Sequence, residues 1–448
     1  MSLTLTKLPG ETATKLTLGW EPPIDAHAYV FYAKGLRVTQ GTPTYEKDFP
    51  SIGKKKGDPR DRVDFAKGNE PYEVAALCRN ASGTFRVEVG AYSTAPPPPP
   101  PPPPTGQRIP SNGVISAGGV WYGDPFIGTV GIATTEEMTI TGDIRNTTGA
   151  PLVDAIGTGA VRVTLDRLTA LGGASYQTSG RLFQAYGFKA VTIRNCSIEN
   201  TRGIELTLPA AAATVHISKV RHKNIQGGPD ASPVGNFVQF RVCQDFSALL
   251  EWIQVVNEYG KSEPEDIISV YHSNNIEIRD FMLLHQSRIG NLTPSSQGGI
   301  TIDASDSGPG CKNVRVHDGQ VVDGYGIVSY SGAAKCVDTF IENNRLVADR
   351  LLPNGQNKAN GAGSPLTITQ GGVNNHAHGN LVGYIDRDGT YISSGVLAGY
   401  LSGAAEGGAS EAGRNTVMAQ ASITAAAEAA EWDYWQQKVA AAGVIIGA

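Results

Sequence analysis

Phe188-Lys189-Ala190-Val191-Thr192-Ile193-Arg194-Asn195-Cys196-Ser197-Ile198 holds the pattern on which the fold turns. An apolar pair, Val191 and Ile193, brackets a polar residue, and a turn former follows. The same arrangement returns at Val161-Arg162-Val163, Val215-His216-Ile217, Phe240-Arg241-Val242, Ile276-Glu277-Ile278, Val314-Arg315-Val316, Thr339-Phe340-Ile341 and Leu366-Thr367-Ile368. Marked at the second apolar residue, the positions are 163, 193, 217, 242, 278, 316, 341 and 368, with steps of 30, 24, 25, 36, 38, 25 and 27. Self-similarity at ~20–50 residues is the mark of a solenoid. A floor near 24 with longer steps is what stacked coils with loop insertions produce.

In-out-in alternation over three to five residues reads as a strand with one buried face. Each strand is too short to bury that face alone, and stacking successive turns buries all of them together. Between the strands lie Arg194-Asn195-Cys196, Ser273-Asn274-Asn275, His317-Asp318-Gly319 and Glu342-Asn343-Asn344. Asn tolerates left-handed backbone and bonds the local chain, and stacked Asn side chains can ladder between turns. No helical period separates the strands, and Leu does not recur at leucine-rich-repeat offsets, which disfavours β/α repeats.

The unit 188–198, together with Ser273-Asn274-Asn275-Ile276-Glu277-Ile278-Arg279-Asp280-Phe281 and Lys312-Asn313-Val314-Arg315-Val316-His317-Asp318-Gly319-Gln320-Val321, resembles the coils of the right-handed parallel β-helix superfamily, the pectate-lyase-like group. The resemblance spans residues 109–390. It implies a fold and leaves chemistry open, because lyases, hydrolases, epimerases, adhesins and phage tail spikes share it.

The chain has 448 residues, 54 Gly, 27 Pro and 18% charged residues, so it is rich in turns without being disordered by charge. A net charge of −5 argues against nucleic acid as a general partner. Lys54-Lys55-Lys56, the dense basic cluster, reads as a solvated loop. Cys78, Cys196, Cys243, Cys311 and Cys336 show no CxxC spacing, which excludes a zinc motif or a disulfide scaffold; Cys196 reads as a small core residue rather than a nucleophile. No apolar run approaches ~18 residues, so no membrane span is expected. Met1-Ser2-Leu3-Thr4-Leu5 leads directly into strand-like sequence without a signal-peptide pattern.

Four segments follow in order. Residues 1–94 alternate like a small β-sandwich; Trp20 before Pro22-Pro23 and Tyr72 at a late strand start resemble a fibronectin type III domain, with Trp20 in its core and Tyr72 at its tyrosine corner. Residues 95–108 hold nine consecutive prolines, Pro96 to Pro104, a polyproline II rod of roughly 28 Å. Residues 109–398 form the β-helix, its N-terminal end capped by Ile115–Gly123 and Met138–Thr141. Residues 399–448 read as a Gly/Ala-rich linker over Gly399–Gly413, then an Ala-rich helix over Val417–Ala442 that caps the coil or bundles with copies of itself. The fold class is therefore all-β with a short C-terminal helix.

A glycan-cleaving β-helix needs convergent carboxylates ~5–9.5 Å apart, or a base with a cation. Asp303 and Asp306, followed by Asp318 and Asp323, are the candidates for catalysis, set against ordinary turn roles for the same residues. Tyr271, Tyr325 and Tyr330 are candidates for stacking on sugar. His272 and His285 read as surface residues. No metal or cofactor motif is present, and none is expected. Longer steps around Gln244–Tyr271 and His285–Gly310 are where receptor-contacting loops are expected.

The order sandwich, proline rod, β-helix and Ala-rich tail resembles minor tail proteins of long-tailed bacteriophages, in particular those of actinobacteria. The resemblance implies a virion tail-tip protein made in the host cytoplasm. It implies docking to other tail proteins, contact with a host envelope glycan or receptor, and a homotrimer. It implies a structural role rather than an enzyme. The other reading is a β-helix polysaccharide lyase or glycoside hydrolase.

Overall fold

The computed structural model describes residues 106–448 apart from 176, 228–234, 259–260, 285–297, 350–363, 387–388 and 448. Before residue 106 it describes the backbone of seven strands. The chain divides into two units, Met1–Pro103 and Pro104–Ala448.

In the first unit, Thr6–Lys7, Leu16–Trp20 and Asp61–Phe65 form a three-stranded sheet, with Leu16–Trp20 in the middle. Ser51–Gly53, Ala28–Lys34, Pro71–Arg79 and Phe85–Ser93 form a four-stranded sheet in that order. All pairings are antiparallel. The proline run, and the side chains of Trp20 and Tyr72, lie outside the described residues.

The second unit is a parallel β-helix. Two long sheets, of sixteen and ten strands among the described residues, run along it, and every pairing within them is parallel. The inward rows explain why the coils stack. In the larger sheet Ile140, Leu165, Ile193, Ile217, Leu250, Ile278, Val316, Ile341 and Ala377 are register partners in turn. All are buried. In the ten-stranded sheet Val153, Phe183, Ile204, Val238, Ile268, Ile300, Ile327 and Leu366 form the facing row. Each full burial of such a side chain contributes about 1.5–3 kcal/mol.

This register corrects the sequence markers. Ile193, Ile217, Ile278, Val316 and Ile341 are true repeats. Val163 pairs with Val191 and so sits two residues out of step. Phe240-Arg241-Val242 and Leu366-Thr367-Ile368 belong to the ten-stranded sheet, and the missing repeat of the larger sheet is at Leu250. Both sheets carry the same in-out-in pattern, so the pattern alone does not tell one from the other.

The larger sheet bends at one corner, and the bend recurs on every coil. Gly142, Arg167, Asn195, Lys219, Trp252, Asp280, Asp318, Asn343 and Gly379 all have φ between 49° and 90° there. This left-handed region favours Asn, Asp and Gly. Just past the corner Asn344, Asn380 and Asn415 stack in a ladder. Asn344 N–H donates to Asn380 Oδ1 and Asn380 N–H to Asn415 Oδ1, both at 2.9 Å. The side-chain Nδ2 groups of Asn344 and Asn380 also reach the same next Oδ1.

Both ends differ from expectation. Gly119–Ile127 and Glu137–Asn146 are strands of the first coils rather than a cap. Helix α1 (Ser394–Tyr400) ends the segment expected as β-helix, and the stretch Gly399–Gly413 expected as a linker carries its last two residues and a second short helix, α2 (Gly408–Gly413). Leu397, Leu401, Ala404 and Ala412 join the core of the coil, so this segment covers its C-terminal end. The last helix, α3 (Ala425–Ala441), neither caps that end nor stands free. It lies on the outer side of the larger sheet, across the row Gln254, Met282, Gln320 and Arg345. Trp435 is fully buried there with Met282 and Val322. The chain after it runs back to Lys219, whose carbonyl accepts Gly447 N–H at 3.0 Å.

Candidate functional site

The C-terminal edge of the ten-stranded sheet presents an outward row, one residue per coil. Tyr186, Thr207, Arg241, Tyr271, Asp303 and Tyr330 are successive register partners. Coils repeat every ~4.8 Å, so the row spans about 24 Å. Tyr186 and Arg241 are exposed; Tyr271, Asp303 and Tyr330 are half-buried. Thr207 is buried, which leaves Tyr186 and Arg241 as separate projections either side of it.

At Tyr271 the row meets a hydrogen-bonded knot. Strand Ile268–Tyr271 ends there, and His272 follows with φ 46°, in the left-handed region. One coil later, strand Gly298–Ala304 ends next to Asp303 and gives way to an exposed loop carrying Asp306. Tyr271 donates its phenol O–H to Asp306 Oδ2 at 2.5 Å. Gly310 N–H donates to His272 Nδ1 at 3.2 Å, which leaves Nε2 protonated and donating to Asp306 Oδ1. The ring is almost wholly enclosed, at 2% exposure. A side chain at Gly308 would stand 2.5 Å from its Cε1, so the loop closes on the imidazole only through a glycine.

These contacts set the charges. The hydrogen bonds from Tyr271 and then His272 hold the Asp306 carboxyl below the usual carboxylate range. The same bond to Asp306 pushes the Tyr271 phenol up. Asp303 does local work: its Oδ1 accepts Ser305 N–H at 2.8 Å, a turn inside its own loop.

Sequence reasoning placed Asp303, Asp306 and Asp318 in one group, and the structure divides them. Asp318 lies at the bend of the larger sheet, at the far end of the seven-residue strand Cys311–His317, which is roughly 20 Å long. There its Oδ2 pairs with His317 Nδ1 at 2.6 Å, while His317 Nε2 meets Glu277 Oε1 at 3.1 Å. Its φ of 57° is the corner conformation, so a turn role accounts for it. Asp323 is buried, also with positive φ. Tyr325 lies on strand Tyr325–Ser331, but its side chain is outside the described residues, as is His285. His272, expected on the surface, is buried as the hinge of the knot. Tyr186 and Arg241 were missed. Assigning Phe240-Arg241-Val242 to its proper sheet was the step that would have aligned Arg241 with Tyr271.

One further cluster has metal-ligand character. A ligand atom from each of His376, Glu406 and Glu411 lies within 4.8 Å of the others. Protein partners account for these atoms: His376 Nδ1 meets Glu411 Oε1 at 2.8 Å, Ala377 N–H donates to Glu411 Oε2, and Arg414 pairs with Glu406 at 2.6 Å. Among the described residues, no helix is long and apolar enough to cross a membrane.

No family model matches the chain, and no curated protein matches it. Among solved structures, the chain is similar to a family 28 exopolygalacturonase of Yersinia enterocolitica. The two are 11% identical, with 85% of this chain and 91% of that chain covered, at a TM-score of 0.26. The fold assignment rests on the strand registers above.

Proposed function

We propose that this chain is a minor tail protein of a phage virion whose β-helix binds a glycan of the host envelope along the edge of the ten-stranded sheet. The observation that carries the reading is the row Tyr186, Arg241, Tyr271, Asp303 and Tyr330. Its spacing is comparable with the rise per sugar of an extended polysaccharide. Tyrosine faces stack on pyranose rings, and Arg and Asp supply directional hydrogen bonds. The three- and four-stranded antiparallel sheets of residues 6–93 support a fibronectin-like docking module. A homotrimer at the tail tip belongs to the same reading; sedimentation of the full chain at the monomer mass would count against it.

Binding is favoured over cleavage because the edge carboxyls are already engaged in hydrogen bonds. Glycoside hydrolysis needs one carboxyl kept protonated at neutral pH, usually through burial. Asp306 is shifted the other way, and Asp303 is engaged with Ser305 N–H. The second reading, a depolymerase, is favoured by the convergence of a carboxylate, an imidazole and a phenol at Asp306, His272 and Tyr271.

The experiment is to incubate the full-length protein with envelope glycans extracted from candidate hosts, following retention and the release of new sugar ends. Retention that weakens about tenfold or more in Arg241→Ala and Tyr186→Ala, without new ends, is the expected result. New ends that vanish in Asp306→Ala would make the chain an enzyme and overturn the reading.

A further inference from the structure

Beneath the same edge runs a buried stack of small sulfur and hydroxyl side chains. Asn274 pairs with Lys312, which sets Ser273 beside Cys311, and Cys311 pairs directly with Cys336 on the next coil. Cys243 N–H donates to Ser273 Oγ at 2.9 Å and extends the stack by one coil. Each member turns back to the carbonyl of an edge residue. Ser273 reaches Tyr271 at 2.9 Å, Cys311 reaches Asp303 at 3.4 Å and Cys336 reaches Tyr330 at 3.1 Å.

We propose that Cys311 and Cys336 form a dithiol site that oxidises to a disulfide joining two successive coils. The inference rests on coil geometry alone and is independent of the functional reading. Register partners on neighbouring parallel strands have Cα atoms about 4.8 Å apart, within the 4.4–6.8 Å a disulfide spans. Both are free cysteines, buried on adjacent coils. Parallel Cβ bonds must lean together to bring the sulfurs to bonding distance, so the bond stores strain and belongs to the readily reduced class. A small disulfide such as oxidised glutathione supplies the oxidant. One cysteine thiolate attacks it, forming a mixed disulfide and expelling one glutathione thiolate. The second thiolate then displaces the other glutathione. Two cysteine thiols and one glutathione disulfide give one protein disulfide and two glutathione thiols.

Each cysteine directly follows one of two stacked loops. Gly332, Ala333 and Ala334 donate N–H groups to the carbonyls of Ala304, Ser305 and Asp306, and Asp306 is itself tied to Tyr271 and His272.

The test uses the full chain, folded, with oxidised glutathione, followed by acid quench, unfolding, alkylation and digestion without reductant. A Cys311–Cys336 linked peptide is expected, at about tenfold the yield of the same treatment in concentrated urea, because the fold holds the thiols at high effective concentration. Brief dithiothreitol treatment of the folded protein returns both thiols. Recovery of both cysteines as separate alkylated thiols or glutathione adducts, or linkage of either to another cysteine in preference, overturns the proposal.

Discussion

Trp435, on the last helix, donates its indole N–H to Gln254 Oε1 at 3.1 Å across 181 residues of sequence. Its ring also lies 6.1 Å from that of Trp252, which sits at the left-handed corner of its coil. A bulky residue with φ near +54° is unfavourable by itself, and the helix packs over it. Arg345 adds a bidentate pair with Glu431, both contacts at 2.7 Å. The helix therefore ties several coils together from outside. Trp435→Ala is expected to lower stability by about 3–5 kcal/mol, the usual cost of emptying a large buried site. Trp435→Phe is expected to cost less, since it keeps most of the apolar area and loses the bond. Urea unfolding of the full chain measures both; equal, small losses would mean the helix contributes little to the fold.

Gly319 stands just past the corner of its coil, where a Cβ would fall 2.1 Å from the Phe281 ring. Phe281 is fully buried at the equivalent position one coil earlier. Gly319→Ala is expected to destabilise by about 1–3 kcal/mol through overpacking. Phe281→Ala alone leaves a cavity. The double variant is expected to lose less than the sum of the two, because the added methyl occupies space the ring vacates. Additive losses in a double-mutant cycle would show that the clash is relieved elsewhere.

The coil was legible because its physics is local. Val191-Thr192-Ile193 and its repeats alternate with the period of a half-buried strand, and Asn195, Asp318 and Asn343 mark a corner of the larger sheet that demands left-handed backbone. Register was less legible. Arg241 and Thr367 sit in the same in-out-in frame as Thr192 and Glu277, although they belong to the other sheet. The knot at Asp306 joins residues 35 apart, Tyr271 and Asp306, through a loop whose length no periodicity predicts. The docking of the last helix depends on Gln254, Met282 and Gln320 sharing an outward row, which becomes visible only once the coils are aligned.

His222 takes a place in an inward row otherwise filled by Ile198, Val255, Leu283 and Val321. Its ring is fully buried beside Phe237, and Thr201 Oγ1 lies 3.3 Å from Nε2. Burial pushes its pKa down to about 3. The unfolded chain binds this proton below about 6.5 and the folded chain does not until far lower. Stability is therefore full above the unfolded value and falls as pH drops from there towards 3, by at most ~1.4 kcal/mol per unit from this group. His222→Leu removes the proton and fits the apolar row. Its urea midpoint is expected to decline less between pH 6.5 and 4 than that of the natural chain. Parallel declines would mean the ring is protonated within the fold.

Asp306 and Tyr271 bear on each other's charge, and that coupling reports directly on the knot. Ionising the phenol places a second negative charge against the carboxylate and removes the 2.5 Å hydrogen bond, so the Tyr271 pKa is raised. Asp306→Asn removes the negative charge while keeping a polar group of the same size. Tyr271 is then expected to titrate nearer its ordinary value of about 10. His272 loses its anionic acceptor in the same variant, which loosens the loop that closes over it. Carbon-13 labelling of the tyrosines lets the Tyr271 ring be followed through an alkaline titration, with Tyr271→Phe assigning its resonance among the 16 tyrosines. A downward shift confined to Tyr271 supports the knot. An unchanged titration would mean that Asp306 swings free of the phenol in solution, and the loop would then be held by the Gly310 to His272 contact and its backbone bonds to the 332–334 loop.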